Sequence, residues 1–191
     1  STVGICMGEI GMPSRILAGR FGAPFTFSTF HHERTLAPGQ LSYHEMKDIY
    51  HYDDINADTE IFGVIADPVG HSLSPVLHNT AFQQSGMNRV YVPFRIPCDD
   101  LDQFMDNARK LGVRGLSVTI PHKETIIRKL DKVDGAVRGI GAVNTVIFTE
   151  NGTVGYNTDY RAAMNCVDIA MDIEEANQPL SGSTALMIGA G

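Results

Sequence analysis

Between residues 60 and 123, short apolar runs alternate with helix-like segments, and no other feature limits the possible folds as much. Residues 60–66, 90–96 and 113–119 read as strands; residues 74–86 and 100–111 between them read as helices. Two crossovers in succession predict βαβ units, hence an α/β fold with a mostly parallel sheet whose ligand loops leave the carboxyl ends of the strands. Ser74-Pro75 predicts a helix start, with serine as cap and proline first inside. Asp99 or Asp100 caps the next helix, where Leu101, Phe104, Met105, Ala108 and Leu111 form one apolar stripe and Gly112 stops it. Residues 121–130 predict a further helix. Residues 142–149 and 153–157 flank Asn151-Gly152, a two-residue hairpin signal. Asp159 caps a helix running to about residue 173.

On the amino-terminal side, residues 2–7 and 22–30 read as strands around a helix that starts near Met12-Pro13. Ala37-Pro38-Gly39-Gln40 is a turn, and Ser42 with Glu45 makes a capping box for a helix to Tyr50. Strand, helix, strand, loop, helix is the order of a barrel. The acidic stretch 53–58 is a connector, which places a domain boundary at 57/58.

A net charge of −7 and a pI near 5.4, with scattered lysines and arginines, argue against a nucleic-acid partner and for a small molecule. Cys6, Cys98 and Cys166 lack metal-ligand or paired spacing, so they read as reduced thiols of a cytoplasmic protein, and no metal is expected. No apolar run approaches the ~20 residues of a membrane span, and the start lacks a signal-peptide pattern.

The chemistry concentrates in Leu116-Ser117-Val118-Thr119-Ile120-Pro121-His122-Lys123. Pro121 suits a helix start, which puts Lys123 in the first turn, where the helix dipole penalises a cation unless a carboxylate offsets it. Asp159, just after an apolar strand, supplies such a carboxylate if the fold brings the two together. Ser72 and Ser74 can point two hydroxyls at one anion. Each residue also has a plainer use: a solvated lysine, a loop serine, a helix cap, a turn asparagine at Asn144.

Four motifs decide between these uses. Ser72-Leu73-Ser74-Pro75, Val118-Thr119-Ile120-Pro121-His122-Lys123, Gly141-Ala142-Val143-Asn144-Thr145 and Gly155-Tyr156-Asn157-Thr158-Asp159 stand in the order and spacing of shikimate dehydrogenases, which the chain resembles over roughly ninety residues. The resemblance implies that Lys123 and Asp159 are the catalytic pair, that Ser72 and Ser74 hold the shikimate carboxylate, and that Thr119, Asn144 and Asp159 meet the ring hydroxyls. Ser117 stands where that family often has asparagine. Thr184-Ala185-Leu186-Met187-Ile188 followed by Gly189, Ala190 and Gly191 resembles the opening of an NADP-binding Rossmann domain.

Upstream, Ser14-Arg15 and Ala37-Pro38-Gly39-Gln40 resemble the last two units of type I 3-dehydroquinate dehydratase, a TIM barrel. That resemblance gives Arg15 the substrate carboxylate and Gln40 the substrate hydroxyls. Leu36 replaces a serine common in the family, and no residue here matches its Schiff-base lysine, Lys47 included. The whole is similar to bifunctional dehydroquinate dehydratase–shikimate dehydrogenases. It implies a barrel remnant at 1–57, a substrate domain at 58–179 and a truncated cofactor domain at 180–191. The parent then reduces 3-dehydroshikimate with NADP in the cytoplasm, or in a plastid if it is a plant protein, and the chain by itself is expected to be inactive. The alternatives are an NAD-dependent quinate/shikimate dehydrogenase and a non-catalytic quinate-responsive module.

Overall fold

The computed structural model describes residues 2–31, 36–171, 182, 184 and 186. The chain divides into two units, Ser1–Asn157 and Thr158–Gly191. The first is built on one six-stranded sheet in the order β2-β1-β3-β5-β6-β4. Its strands are β1 Glu60–Ala66, β2 Arg89–Arg95, β3 Val113–Val118, β4 Lys132–Val133, β5 Thr145–Thr149 and β6 Gly152–Tyr156. β1 pairs in parallel with β2 and β3, as the two crossovers require; β5 runs antiparallel to β3 and β6, and β4 parallel to β6.

The helices are α1 Gly8–Ile16, α2 Ser74–Gln84, α3 Leu101–Lys110, α4 His122–Thr125 and α5 Gly135–Ile140. The larger core holds Ile61 and Ile65 of β1, Val90, Val92 and Phe94 of β2, Leu116 and Val118 of β3, and Leu101, Met105 and Ala108 from the α3 stripe. On the opposite sheet face, Val64, Ala66, Val69 and Tyr91 pack with Phe62 and with Phe82 of α2. Successive strand side chains alternate between faces, so one sheet supports two cores. Gly112, at φ 80°, ends the α3 segment in a left-handed conformation that other residues resist.

The amino-terminal segment departs from the barrel reading. Residues 2–7 and 22–30 form no strand; Thr29 makes a single parallel bridge to Ser42. A strand needs a neighbouring ladder for its backbone groups, and among the described residues neither stretch has more than that one bridge. The segment is helical instead, with α1, a 3-10 turn at Gly19–Phe21 and a π-helical turn at Glu45–Ile49. Ile16, Leu17, Leu41, Met46 and Tyr50 join the larger core, and α1 packs against the edge strand β2. β2 carries Pro93 at this edge, where a missing ladder donor costs least.

Two local readings shift. Leu73, not Ser74, is the N-cap of α2, and the cap position supplies no side-chain bond. The hairpin pairs Thr149 with Gly152, so its turn residues are Glu150 and Asn151 and the glycine, at φ 125°, opens β6. In the second unit, α6 spans Thr158–Ala170, with Asp159 in its first turn. Of the predicted strand 184–188 only residues 184 and 186 are described, both exposed and outside any strand, and Gly189, Ala190 and Gly191 lie outside the described residues.

Candidate active site

The carboxyl ends of β1 and β3 are sewn together by the backbone. Thr119 donates its N–H to Ile65 at 3.2 Å, and Asp67 donates to Ile120 at 3.2 Å. Val118 donates to the carbonyl of Asn144 at 2.7 Å, and Val143 donates to the carbonyl of Lys123 at 2.8 Å. These bonds bring the 118–123 and 141–145 motifs to the end of β1, from which the loop carrying Ser72 and Ser74 leaves. Ser72, Ser74, Ser117, Thr119, Lys123 and Asn144 are all half-buried there, a burial that keeps polar groups anchored while leaving them accessible to a ligand. The β1–α2 loop is shaped by Ser72, whose N–H donates to Val69 at 3.1 Å and whose Oγ accepts from the N–H of Ser74 at 3.3 Å.

Lys123 is the second residue of α4, as the proline-start reading requires, with Pro121 as N-cap. Its neighbour His122 is fully buried, and its Nε2 donates to the carbonyl of Ile96 at 2.7 Å, pinning the helix start to the end of β2. Sequence reasoning passed over this peg; the one clue was a histidine beside a lysine at a strand-to-helix corner. Asp159 belongs to the second unit.

Tyr91 was also missed. It is buried on β2, its ring stacked on His78 at 4.3 Å, and its hydroxyl is closed off from water without a hydrogen bond. Burial raises the phenol above its ordinary range, and the neighbouring hydroxyls of Ser117 and Ser74 offset part of that rise. The alternation that identified the strand gave no sign that Tyr91 reaches a site.

The loop is further tied to the amino-terminal segment. Arg95, at the end of β2, donates Nε to Asp67 and Nη1 to Glu9 of α1, both at 2.9 Å. Ser72 also lines a cavity of about 190 Å³ with Met12, Leu41, Glu45 and Tyr50. Within that segment Arg15 is 3% exposed, its Nε has no partner, and its Nη2 meets the sulfur of Met7 at 3.5 Å. Gln40 accepts from the N–H of Leu36 at 3.2 Å, so its amide serves its own turn. Arg15 and Gln40 share no hydrogen-bond partner among the described contacts.

Cys6, Cys98 and Cys166 are free and exposed. Among the described residues no cluster of histidine, cysteine or carboxylates is arranged for a metal ion, and no helix is long and apolar enough to cross a membrane.

Residues 64–146 match the family model of the shikimate dehydrogenase substrate binding domain, and residues 1–57 match that of type I 3-dehydroquinase. The entire chain aligns at 36% identity with the chloroplastic bifunctional 3-dehydroquinate dehydratase/shikimate dehydrogenase of Arabidopsis thaliana, covering 33% of that protein. It is 39% identical to the NADP(+) shikimate dehydrogenase of Methanothermobacter thermautotrophicus over 72% of this chain and 46% of that one. A crystal structure of shikimate 5-dehydrogenase from Listeria monocytogenes, in complex with shikimate and NAD, superposes with a TM-score of 0.55 at 34% identity, over 67% of this chain and 42% of that one. The chain thus spans a third to a half of these relatives. It is similar to type I 3-dehydroquinase over residues 1–57 and to the shikimate dehydrogenase substrate binding domain over residues 64–146.

Proposed function

We propose that this chain is the shikimate-binding portion of a bifunctional 3-dehydroquinate dehydratase/shikimate dehydrogenase, with the junctions at 57/58 and 179/180, and that the parent reduces 3-dehydroshikimate to shikimate. The observation that carries the reading is the meeting of Ser72, Ser74, Thr119, Lys123 and Asn144, drawn from three separate motifs, at the carboxyl rim of a parallel sheet. That rim is where open α/β sheets hold ligands.

Ser72 and Ser74 donate hydrogen bonds to the substrate carboxylate, and Thr119 and Asn144 fix the ring hydroxyls. The Lys123 ammonium donates to the ketone oxygen and transfers a proton to it as negative charge develops, so the carbonyl ends as an alcohol. Asp159, by the motif it shares with the family, is assigned to the same reaction and accepts from a ring hydroxyl. The nicotinamide cofactor, NADP in the relatives named for it, supplies the hydride when bound, and Gly189, Ala190 and Gly191 are assigned to the start of its domain. In the dehydratase half, Arg15 is assigned to the dehydroquinate carboxylate, with Gln40 beside the hydroxyls. An orphaned buried guanidinium nitrogen suits an anion.

The test is shikimate-dependent NADP+ reduction by the full-length protein. Lys123→Ala is expected to lower kcat by about 10²–10⁴-fold, the usual scale of a lost proton donor, while shikimate still binds. An unchanged kcat overturns the assignment of Lys123. Shikimate uptake without any turnover in the unmutated protein makes the chain part of a metabolite sensor.

A further inference from the structure

Tyr91 and Ser117 project from the same face of the sheet. Phe62 of β1 pairs with Tyr91 and Val64, two residues on, pairs with Ser117, so the tyrosine has only to cross Val64 to reach the serine. Val64 and Tyr91 share the same buried cluster. The backbone of Tyr91 is clamped by Asn79 of α2, whose Oδ1 accepts from Tyr91 N–H at 2.7 Å and whose Nδ2 donates to its carbonyl at 2.9 Å. With His78 stacked on the ring, the phenol is aimed by both ends of the residue.

The aim ends at a hydroxyl with no structural task. A phenylalanine would fill the same space and stack as well, yet a phenolic oxygen is buried here with no protein group in hydrogen-bond geometry, which is unfavourable unless something completes it. The hydroxyls of Ser117 and Ser74 lie beside it. Ser74 is not the N-cap of α2, which is Leu73.

Resting on the substrate site proposed above, we infer that Tyr91 is a positioning residue, whose phenol locks Ser74 and Ser117 into one directed chain when a carboxylate binds. Ser117 O–H donates to Tyr91 Oη, Tyr91 O–H donates to Ser74 Oγ, and Ser74 O–H donates to the anion. Each hydroxyl serves as donor and acceptor at once, and a charged end polarises all three in the same sense. The chain forms only for an anionic ligand, because a neutral ester accepts too weakly to fix its direction. It also gives the short Ser117 side chain a partner within the protein.

The experiment titrates the 191-residue protein with shikimate and with shikimate methyl ester, comparing wild type, Tyr91→Phe, Ser74→Ala and the double variant by calorimetry. Tyr91→Phe is expected to weaken shikimate binding about five- to tenfold, the scale of one charge-assisted hydrogen bond. The same change is expected to leave ester binding within about twofold, and to add no more than about twofold in the Ser74→Ala background. Unchanged shikimate affinity, equal losses for acid and ester, or losses additive with Ser74→Ala each overturn the inference while leaving the site intact. Absence of shikimate uptake by the wild-type chain overturns the site itself and the inference with it.

Discussion

Residues 22–30 and Arg89–Arg95 carry comparable alternations of aromatic and branched residues, yet the second is a strand and the first is not. Val90 and Val92 are fully buried and pair with β1, whereas Phe25 and Phe27 are 53% exposed and Thr29 makes one bridge. Propensity is alike in both stretches; what differs is the presence of a neighbour. Strand preference is largely a preference for a pleated, half-buried surface, and it is expressed only where another strand supplies that surface. The amino-terminal segment satisfies its backbone by helical turns and commits a different set of side chains, led by Ile16, to the common core.

This contrast is open to direct attack. Ile65→Ala, at a fully buried position of the central strand β1, is expected to cost about 2–5 kcal/mol in urea unfolding, from lost transfer energy plus a cavity. Ile16→Ala, equally buried but in the amino-terminal segment, is expected to fall within the same range of about 2–5 kcal/mol if both regions unfold as one. A loss of less than about 1 kcal/mol there would separate the segment from the core. Phe27→Ser is expected to stay within about 0.5 kcal/mol, and a loss comparable to that of Ile65→Ala would erase the distinction between the two apolar stretches.

Legibility followed the range of the interactions. The capping box was readable because it closes within four residues: Glu45 Oε2 accepts from the Ser42 N–H at 2.7 Å and Ser42 Oγ accepts from the Glu45 N–H at 3.2 Å. The limits of β1 and the stop at Gly112 were readable for the same reason. The hairpin turn slipped by one residue because cross-strand register, fixed by Thr149 opposite Gly152, decides which residues bulge out. Ser74 read as a cap because its sequence context suits one, but the loop is closed one residue earlier by Ser72 and Leu73. Motif spacing singled out the rim residues. Their meeting depends on the β1–β3–β5 adjacency, and Tyr91 entered only through a diagonal across that pairing which no local pattern records.

A smaller effect probes the seam between the two regions. Glu9 of α1 and Asp67 of the β1–α2 loop share Arg95, with all three side chains partly exposed. Partly exposed ion pairs are worth up to about 1 kcal/mol and weaken with salt. Glu9→Gln is therefore expected to cost less than about 1 kcal/mol at low ionic strength, and the difference from wild type should vanish in concentrated salt. A larger loss that salt leaves untouched would show that Glu9 acts by packing against the loop rather than by charge.

The smallest effect separates the two faces of the sheet. Burial between α2 and Tyr91 lowers the pKa of His78 below its ordinary value of 6.5, with stacking on the tyrosine ring keeping the imidazole in place. The unfolded chain then takes up a proton before the folded chain does, so stability is full above the ordinary imidazole range and declines as pH falls through it, levelling off once the folded histidine titrates too. His78→Phe keeps a flat ring against Tyr91 and removes the proton. The variant is expected to lose less stability than wild type between about pH 7.5 and about pH 5, read as the change in urea midpoint at each pH. Only the difference between the two proteins is diagnostic, because other histidines and carboxylates titrate in both. Identical declines would mean that water reaches the His78 ring freely, and that this side of the sheet, which also holds the Tyr91 hydroxyl, is looser than its packing indicates.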